Sequence, residues 1–289
     1  MKISILLPVF NGEDYIESAI KSVLRNSFKN YELIIVNDGS SDDTLDVINT
    51  FSDPRIKLFT KENSGLIETL NYGLNKCEND IIMRMDSDDL IHFDKIEIQL
   101  NAFIKSKSIL MGTSGYLIDS TDKILGSINL PTQNDQIIKS MMRFNSSIIH
   151  PSIMTYKSII QKVNLYSDLM KHAEDYDLFL RLSKHGELSN LTNKLIYLRK
   201  GEHNISHINA KEQIINSQIA KDYFKLNING PISKELHENL KVKNSKNLFR
   251  SLHINTHVEI VQLENLSSNT NGIKLFFLKI LRKILIFLR

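Results

Sequence analysis

The 289-residue chain is 42% hydrophobic and 24% charged, a balance that reads as soluble and globular with ample length to bury a core. Thirty-six basic against 33 acidic residues leave a net charge of +3, too even to argue for a nucleic-acid partner. A single cysteine, Cys77, excludes an intramolecular disulfide and fits a reducing compartment, its thiol being either a small structural group or a reactive one.

Met1 to Pro8 is apolar but lacks the length and cleavage site of a signal peptide, so a cytoplasmic protein is expected. The run reads instead as a first strand, Ile3 to Val9, buried on both faces and ended by Asn11-Gly12. A helix follows, with Ile16, Ala19, Ile20, Val23 and Leu24 at helical spacing. Tyr31 to Val36 is a second buried strand, and Asp38-Gly39-Ser40-Ser41 is a turn from which Ser41 or Asp42 caps a helix reaching about Phe51. Arg55 to Thr60 is a third strand, Leu66, Leu70 and Leu74 mark a helix after Ser64-Gly65, and Asp80 to Met85 is a fourth strand.

Strand and helix alternate at the spacing of a parallel sheet with right-handed crossovers, in which ligands bind beyond the carboxyl ends of the strands. Phe10-Asn11, Asn37-Asp38-Gly39 and Asp86-Ser87-Asp88-Asp89 follow strands one, two and four, and are therefore expected to converge on one site. The middle of the chain is less regular. A helix at Lys95 to Lys105 leads to a strand-rich stretch at Ile109 to Leu130 and a short helix around Ile137 to Arg143. His150-Pro151-Ser152, a strand at Ile153 to Tyr156, a helix at Ala173 to His185 and a short strand at Leu195 to Leu198 come next. A helix at His207 to Leu226 ends near Asn229-Gly230-Pro231. Lys, Asn and Ser dominate from Ser233 to about Asn271, and Gly272 to Arg289 is basic and apolar.

Three carboxylates within four residues, Asp86, Asp88 and Asp89, carry the strongest chemical signal. Like charges at the end of a buried strand need a compensating cation, and an all-oxygen donor set suits Mg²⁺ or Mn²⁺ completed by substrate phosphates. A solvated acidic turn capping the next helix is the plainer reading, and placement at a strand's carboxyl end favours the metal. Asp38 can accept hydrogen bonds from a nucleotide base or ribose, or belong to an ordinary Asp-Gly turn. Glu174-Asp175-Tyr176-Asp177 opens a helix, where the dipole alone favours acids and where a carboxylate can also serve as a general base.

Ser4-Ile-Leu-Leu-Pro-Val-Phe-Asn11, Val36-Asn-Asp-Gly-Ser40, Arg84-Met-Asp-Ser-Asp-Asp89 and Glu174-Asp-Tyr-Asp-Leu178 occur in an order and at intervals that resemble family 2 glycosyltransferases with the GT-A fold. The resemblance covers roughly residues 1 to 208 and points to the bacterial branch that builds capsular and exopolysaccharide repeat units. In that branch His-Pro-Ser precedes the Glu-Asp motif, as at His150-Pro151-Ser152, and Tyr-Arg-x-x-x-His follows it. Here Leu198 is inserted between Tyr197 and Arg199, which leaves Arg199 without an assigned role.

The resemblance implies an α/β fold, a Rossmann-like, mostly parallel sheet flanked by helices, with a C-terminal helical extension. It implies a transferase domain at 1–230, split into a nucleotide-sugar-binding half at 1–90 and an acceptor-binding half at 91–230. Pro8 and Phe10 are expected on the donor side, with Phe10 stacking on a uracil and Asp38 pairing with that base. Asp86 and Asp88 are expected to hold the metal, Arg84 and His203 to lie near the diphosphate or the ion, and Asp175 to be the catalytic base. The implied reaction is a direct displacement that inverts the anomeric carbon of a UDP-sugar, with a saccharide or polyprenyl-linked acceptor, in surface polysaccharide synthesis. His150 also reads as a buried hydrogen-bonding residue, and the spacing of His and Cys supports no zinc site.

In the last segment Ile273, Phe276, Phe277, Ile280, Leu281, Ile284, Phe287 and Leu288 fall on one side of a helix, opposite Lys274, Lys279, Arg282, Lys283 and Arg289. Five charges make a poor transmembrane span. The segment fits a peripheral anchor at the inner face of the cell membrane, or a helix packed on the domain or on a second copy in a homo-oligomer. After the polar connector or helical extension at 231–271, residues 272–289 therefore form a separate expected element. A catalytically inactive nucleotide-binding or scaffolding relative is the rival reading, opposed by intact Asp86, Asp88 and Asp175. An aspartyl phosphatase is a weaker one, because its Asp-x-Asp usually follows the first strand.

Overall fold

Seven consecutive buried residues form β1 (Ile3–Val9), and seven more form β2 (Tyr31–Asn37). Strands this apolar on both faces need cover on both sides, which the intervening helices supply. α1 (Ile16–Leu24) turns Ile16, Ala19, Ile20 and Val23 inward, and α2 (Thr44–Asn49) buries Ile48. α3 (Leu66–Lys76) follows β3 (Ile56–Thr60) and leads to β4 (Ile81–Arg84). α3 lies so close to β1 that a Cβ at Gly73 would sit 2.3 Å from Leu6 Cδ1, so any larger residue there would force the Leu6 side chain to move.

A computed structural model describes residues 1–143, 147–200, 209–227 and 232–245, and the chain divides into two compact units, Met1–His237 and Glu238–Arg289. In the second unit residues 238–245 are described, and they are helical. His203, the connector beyond 245 and the basic segment 272–289 lie outside the described residues. No described helix is long and apolar enough to cross a membrane.

The first unit continues with β5 (Leu90–Ile91), α4 (Lys95–Lys105), β6 (Ser108–Ile118), β7 (Ile124–Ile128) and α5 (Asn134–Met141). A single 3-10 turn at His150–Ser152 precedes β8 (Met154–Tyr156), α6 (Lys157–Lys162), α7 (Glu174–Leu182), β9 (Glu187–Arg199) and α8 (Ala210–Lys225). The strands form one sheet in the order β3-β2-β1-β4-β8-β6-β9-β5, with β7 added to β6. β1, β2, β3 and β4 are parallel; β8 runs against both β4 and β6, so β6 and its parallel neighbour β9 share the direction of β4. The mostly parallel α/β sheet is the expected fold.

The differences lie in the second half. The strand predicted at Leu195–Leu198 is thirteen residues long. Its polar part is held because Asn190 Nδ2 donates to the carbonyls of Pro131 and Ser147, each at 2.7 Å, and because register shifts let it follow β6. α6 and β5 are not foreseen by the apolar spacing. α2 begins at Thr44, whose amide donates to Asp42 Oδ1 at 3.1 Å, so Asp42 receives the helix start from just outside it. Cys77 is 2% exposed and burial pushes its thiol up to about 12, which settles it as a packing residue.

Lys95, in the first turn of α4, is fully buried. Its Nζ donates to Gln99 Oε1 at 2.6 Å and to the Ser152 carbonyl at 3.0 Å, both neutral oxygens, and burial pushes its pKa down to about 7. Gln99 Nε2 donates to the same Ser152 carbonyl and to that of Met111, each at 2.8 Å.

Candidate active site

The loops after β1 and β2 are stitched together by side chains. Asn11, in the left-handed region at φ 49°, accepts the Ser41 amide at 2.9 Å and donates its own amide to Ser40 Oγ at 2.9 Å. The Gly12 amide reaches Thr44 Oγ1 at 2.8 Å. Between these anchors Phe10 stands 50% exposed at the carboxyl end of β1, while Pro8 is buried within the strand opposite Val36.

Asp38 faces the start of α3. Its carboxylate accepts the Ser64 amide at 3.0 Å and the Gly65 amide at 2.9 Å, and it pairs with Lys61. Gly39 at φ +71° is required in this turn, since a Cβ would come 2.8 Å from the Asn63 nitrogen. Of about four acceptor positions on a carboxylate, three are taken by the protein and one remains.

Beyond β4, carboxylate oxygens of Asp86, Asp88 and Asp89 lie within 4.8 Å of one another. Arg84, 3% exposed, holds Asp86 through both terminal nitrogens, with Nη1 2.7 Å from Oδ2. Burial and the Asp86 charge push Asp88 up to about 6 and Asp89 well above the carboxylate range. Asp89 Oδ1 accepts the Arg199 amide at 2.9 Å, and its Oδ2 is buried with no protein partner. A cluster of hard oxygens short of positive charge, with one acceptor unspent, fits a divalent cation.

Arg199 closes this turn from the other side. Its Nε donates to the Asp88 carbonyl at 2.8 Å, Nη1 to the Asp119 carbonyl at 2.6 Å and Nη2 to Asp122 at 2.6 Å. Its guanidinium carbon lies 4.3 Å from the centre of the Tyr15 ring.

Glu174 and Asp175 open α7 on the same site. Burial, then the Asp175 charge, pushes Glu174 up to about 7, and burial raises Asp175 too, while the Arg84 charge lowers both and the Asp86 charge adds a smaller rise to both. Asp175 is raised by burial while accepting the Tyr176 amide at 2.7 Å. Asp177, by contrast, is 3% exposed and paired with Arg181. His150 is buried, with Nε2 2.8 Å from Tyr166 Oη, and burial, then the Arg84 charge, hold its pKa well below the usual value. That is the buried hydrogen-bonding role. The loop carrying Tyr166 places Asn164, Leu165 and His172 at φ 63°, 61° and 64°, a local strain of the kind that collects at functional sites.

The sequence profile of glycosyl transferase family 2 matches residues 4–163, more than half of the chain. The chain belongs to that family. An uncharacterised glycosyltransferase of Rickettsia typhi is 35% identical over 190 residues, which cover 63% of this chain and 59% of that relative. The O-antigen biosynthesis glycosyltransferase WbnJ of Escherichia coli is 31% identical over 185 residues, 62% of this chain and 71% of the relative. The chain spans less than two thirds of the length of the Rickettsia relatives, down to 30% of one from Rickettsia bellii. Among solved structures, S. aureus TarS 1–349 in complex with UDP-GlcNAc superposes with a TM-score of 0.64 at 19% identity, over 84% of this chain and 71% of that one. The mannosyltransferase PcManGT of Pyrobaculum calidifontis, in complex with GDP-Man and Mn²⁺, gives 0.61 at 11% identity, over 98% and 80%.

In this family 2 glycosyltransferase the carboxyl ends of β1, β2 and β4 carry Phe10, Asp38 and the Asp86–Asp89 turn, and electrostatics couple that turn to Glu174 and Asp175. Sequence reasoning missed the parts played by Arg199 and Tyr166. The inserted Leu198 hid the first, although an arginine ending an apolar run was a visible signal. Nothing local marked Tyr166.

Proposed function

We propose that this glycosyltransferase transfers a hexosyl or N-acetylhexosaminyl group from a UDP-sugar to a saccharide or lipid-linked saccharide with inversion, in the assembly of a bacterial surface polysaccharide. The observation that carries the reading is the unspent Asp89 oxygen within the Asp86–Asp88–Asp89 cluster, whose Asp86 charge also reaches Asp175. Phe10 offers its exposed face to the base, and Asp38 has one acceptor position left for the base's N–H. Asp86 and Asp88 would hold Mn²⁺ or Mg²⁺, which when bound neutralises charge developing on the diphosphate. Arg84 is committed to Asp86, so it acts on the donor by fixing that carboxylate. Asp175, raised by burial, takes the proton of the acceptor hydroxyl as its oxygen attacks the anomeric carbon opposite the leaving diphosphate. Asp177 is spent on Arg181 and leaves the base role to its neighbour.

The relative named for O-antigen biosynthesis supports the polysaccharide setting, and the TarS complex with UDP-GlcNAc supports the uridine donor. The Mn²⁺ in PcManGT supports the ion. A cytoplasmic enzyme held peripherally at the inner membrane face by residues 272–289 completes the reading. Screening UDP- and GDP-sugars for hydrolysis with Mn²⁺, and again with excess EDTA, tests it. Turnover of a UDP-sugar that stops with EDTA is expected. Preference for a GDP-sugar overturns the donor assignment, and full turnover in EDTA overturns the metal.

A further inference from the structure

We propose that Arg199 is the positioning residue of the metal-binding turn, setting the affinity of the Asp86–Asp88–Asp89 cluster for its divalent cation without touching the ion. The inference rests on the metal reading of that cluster given above. Three acidic side chains in four residues repel one another and would spread if the backbone between them were free. On one side the turn is fixed by β4. On the other it runs into β5, whose Leu90 and Ile91 pair with Tyr197 and Ile196 of β9. Arg199 ends β9 and meets the turn twice: its amide donates to Asp89 Oδ1 at 2.9 Å and its Nε to the Asp88 carbonyl at 2.8 Å. The first contact aims the Asp89 carboxylate, leaving Oδ2 for the site. The second fixes the peptide plane from which the Asp88 side chain projects.

The guanidinium is itself held from three directions. It donates to the Asp119 carbonyl and the Asp122 carboxylate, each at 2.6 Å, in the turn between β6 and β7, and it lies over Tyr15 at 4.3 Å from the ring centre. Its side chain is 3% exposed. A planar fork with five donors can serve three acceptors at once, which a lysine ammonium on a flexible stem cannot do in this geometry. Arg199 therefore ties the metal turn, the β6–β7 turn and the segment after β1 into one rigid frame. Partners that orient metal ligands in this way typically change affinity by about 10- to 100-fold when altered.

The test is Mn²⁺ binding by the full-length protein in saturating UDP, followed by the electron paramagnetic resonance of free Mn²⁺, for wild type, Arg199→Lys and Asp122→Asn. Arg199→Lys is expected to weaken Mn²⁺ binding by about tenfold or more. Asp122→Asn, at a side chain 54% exposed and outside the turn, is expected to weaken it less while leaving the melting temperature close to wild type. In donor hydrolysis, the Asp122→Asn rate is expected to return toward wild type as Mn²⁺ is raised, a recovery that a purely structural defect does not give. Wild-type affinity in a folded Arg199→Lys protein overturns the proposal. If Arg199→Lys does not fold, Asp122→Asn decides, and unchanged Mn²⁺ affinity there overturns it too. A wild-type protein that binds no Mn²⁺ with UDP removes the metal reading itself. Binding in wild type with equal binding in both variants removes the role of Arg199 alone.

Discussion

Arg181 grips Asp177 one helical turn away, with Nε at 2.8 Å and Nη2 at 2.6 Å from the same carboxylate oxygen. Two residues earlier Asp175 has its oxygen on the Tyr176 amide and faces the Arg84 and Asp86 charges. Two acids on one helix thus have different surroundings, and substitution separates the roles proposed for them. Asp175→Asn is expected to keep UDP and metal affinity while lowering turnover by about 10² or more, the scale of a lost general base. Asp177→Ala is expected to strand a buried guanidinium and lower stability by about 3 kcal/mol. Steady-state rates and thermal melts on both proteins check this, and a collapse of UDP affinity in Asp175→Asn would make Asp175 a binding residue.

Asp88→Ala is expected to abolish transfer and to remove the Mn²⁺ dependence of donor binding, because the phosphates lose their bridging cation. Calorimetric titration of UDP with and without Mn²⁺ reads the effect directly. Retained Mn²⁺ enhancement of UDP binding in the variant would contradict the ligand assignment.

Lys95 gives a pH signature in stability. Its folded pKa of about 7 lies below the ordinary value of 10.5, so between those limits the unfolded chain binds the extra proton. Stability from this group is therefore fully present above pH 10.5 and is lost as pH falls toward 7, with a slope of at most about 1.4 kcal/mol per pH unit. Denaturant unfolding of wild type and Lys95→Met from pH 7 to 10 is expected to show their difference moving in favour of wild type as pH rises. Parallel curves would show that Lys95 stays charged in the fold.

Deleting 272–289 is expected to release the protein from anionic vesicles while leaving donor hydrolysis intact, since the residues proposed for the donor all precede that segment. Vesicle binding by the intact chain is expected to weaken as salt rises, because five basic residues act through screened interactions. Equal co-sedimentation of full-length and shortened protein rejects the anchor.

The donor half was legible because its physics is local. β1 and β2 are buried on both faces, so they read as unbroken apolar runs, and the residues that follow them fall at the sheet's carboxyl edge by topology alone. The other half hides its order in distant contacts. The polar stretch of β9 is a strand because Asn190 finds the carbonyls of Pro131 and Ser147, and Arg199 acquires meaning only when 110 residues of separation to Asp89 are closed. Lys95 defeated expectation differently. A lysine is normally solvated, and only the Ser152 carbonyl and Gln99 explain one that is wholly enclosed.

β8 has a mechanical consequence for the enzyme. It joins the β3-β2-β1-β4 sheet to β6-β9-β5, meeting β4 at three residue pairs and β6 at only two, Leu110 with Thr155 and Met111 with Met154. So short a ladder is a weak seam. Lys95 and Gln99 cross it like a bolt, reaching from one helix to the Ser152 carbonyl just before β8 and the Met111 carbonyl on β6. At the site itself the two flanks are tied directly, where Arg199 meets Asp88 and Asp89, so Lys95 and Gln99 brace the same join from behind, at two side chains that touch neither the Asp86–Asp89 turn nor Arg199.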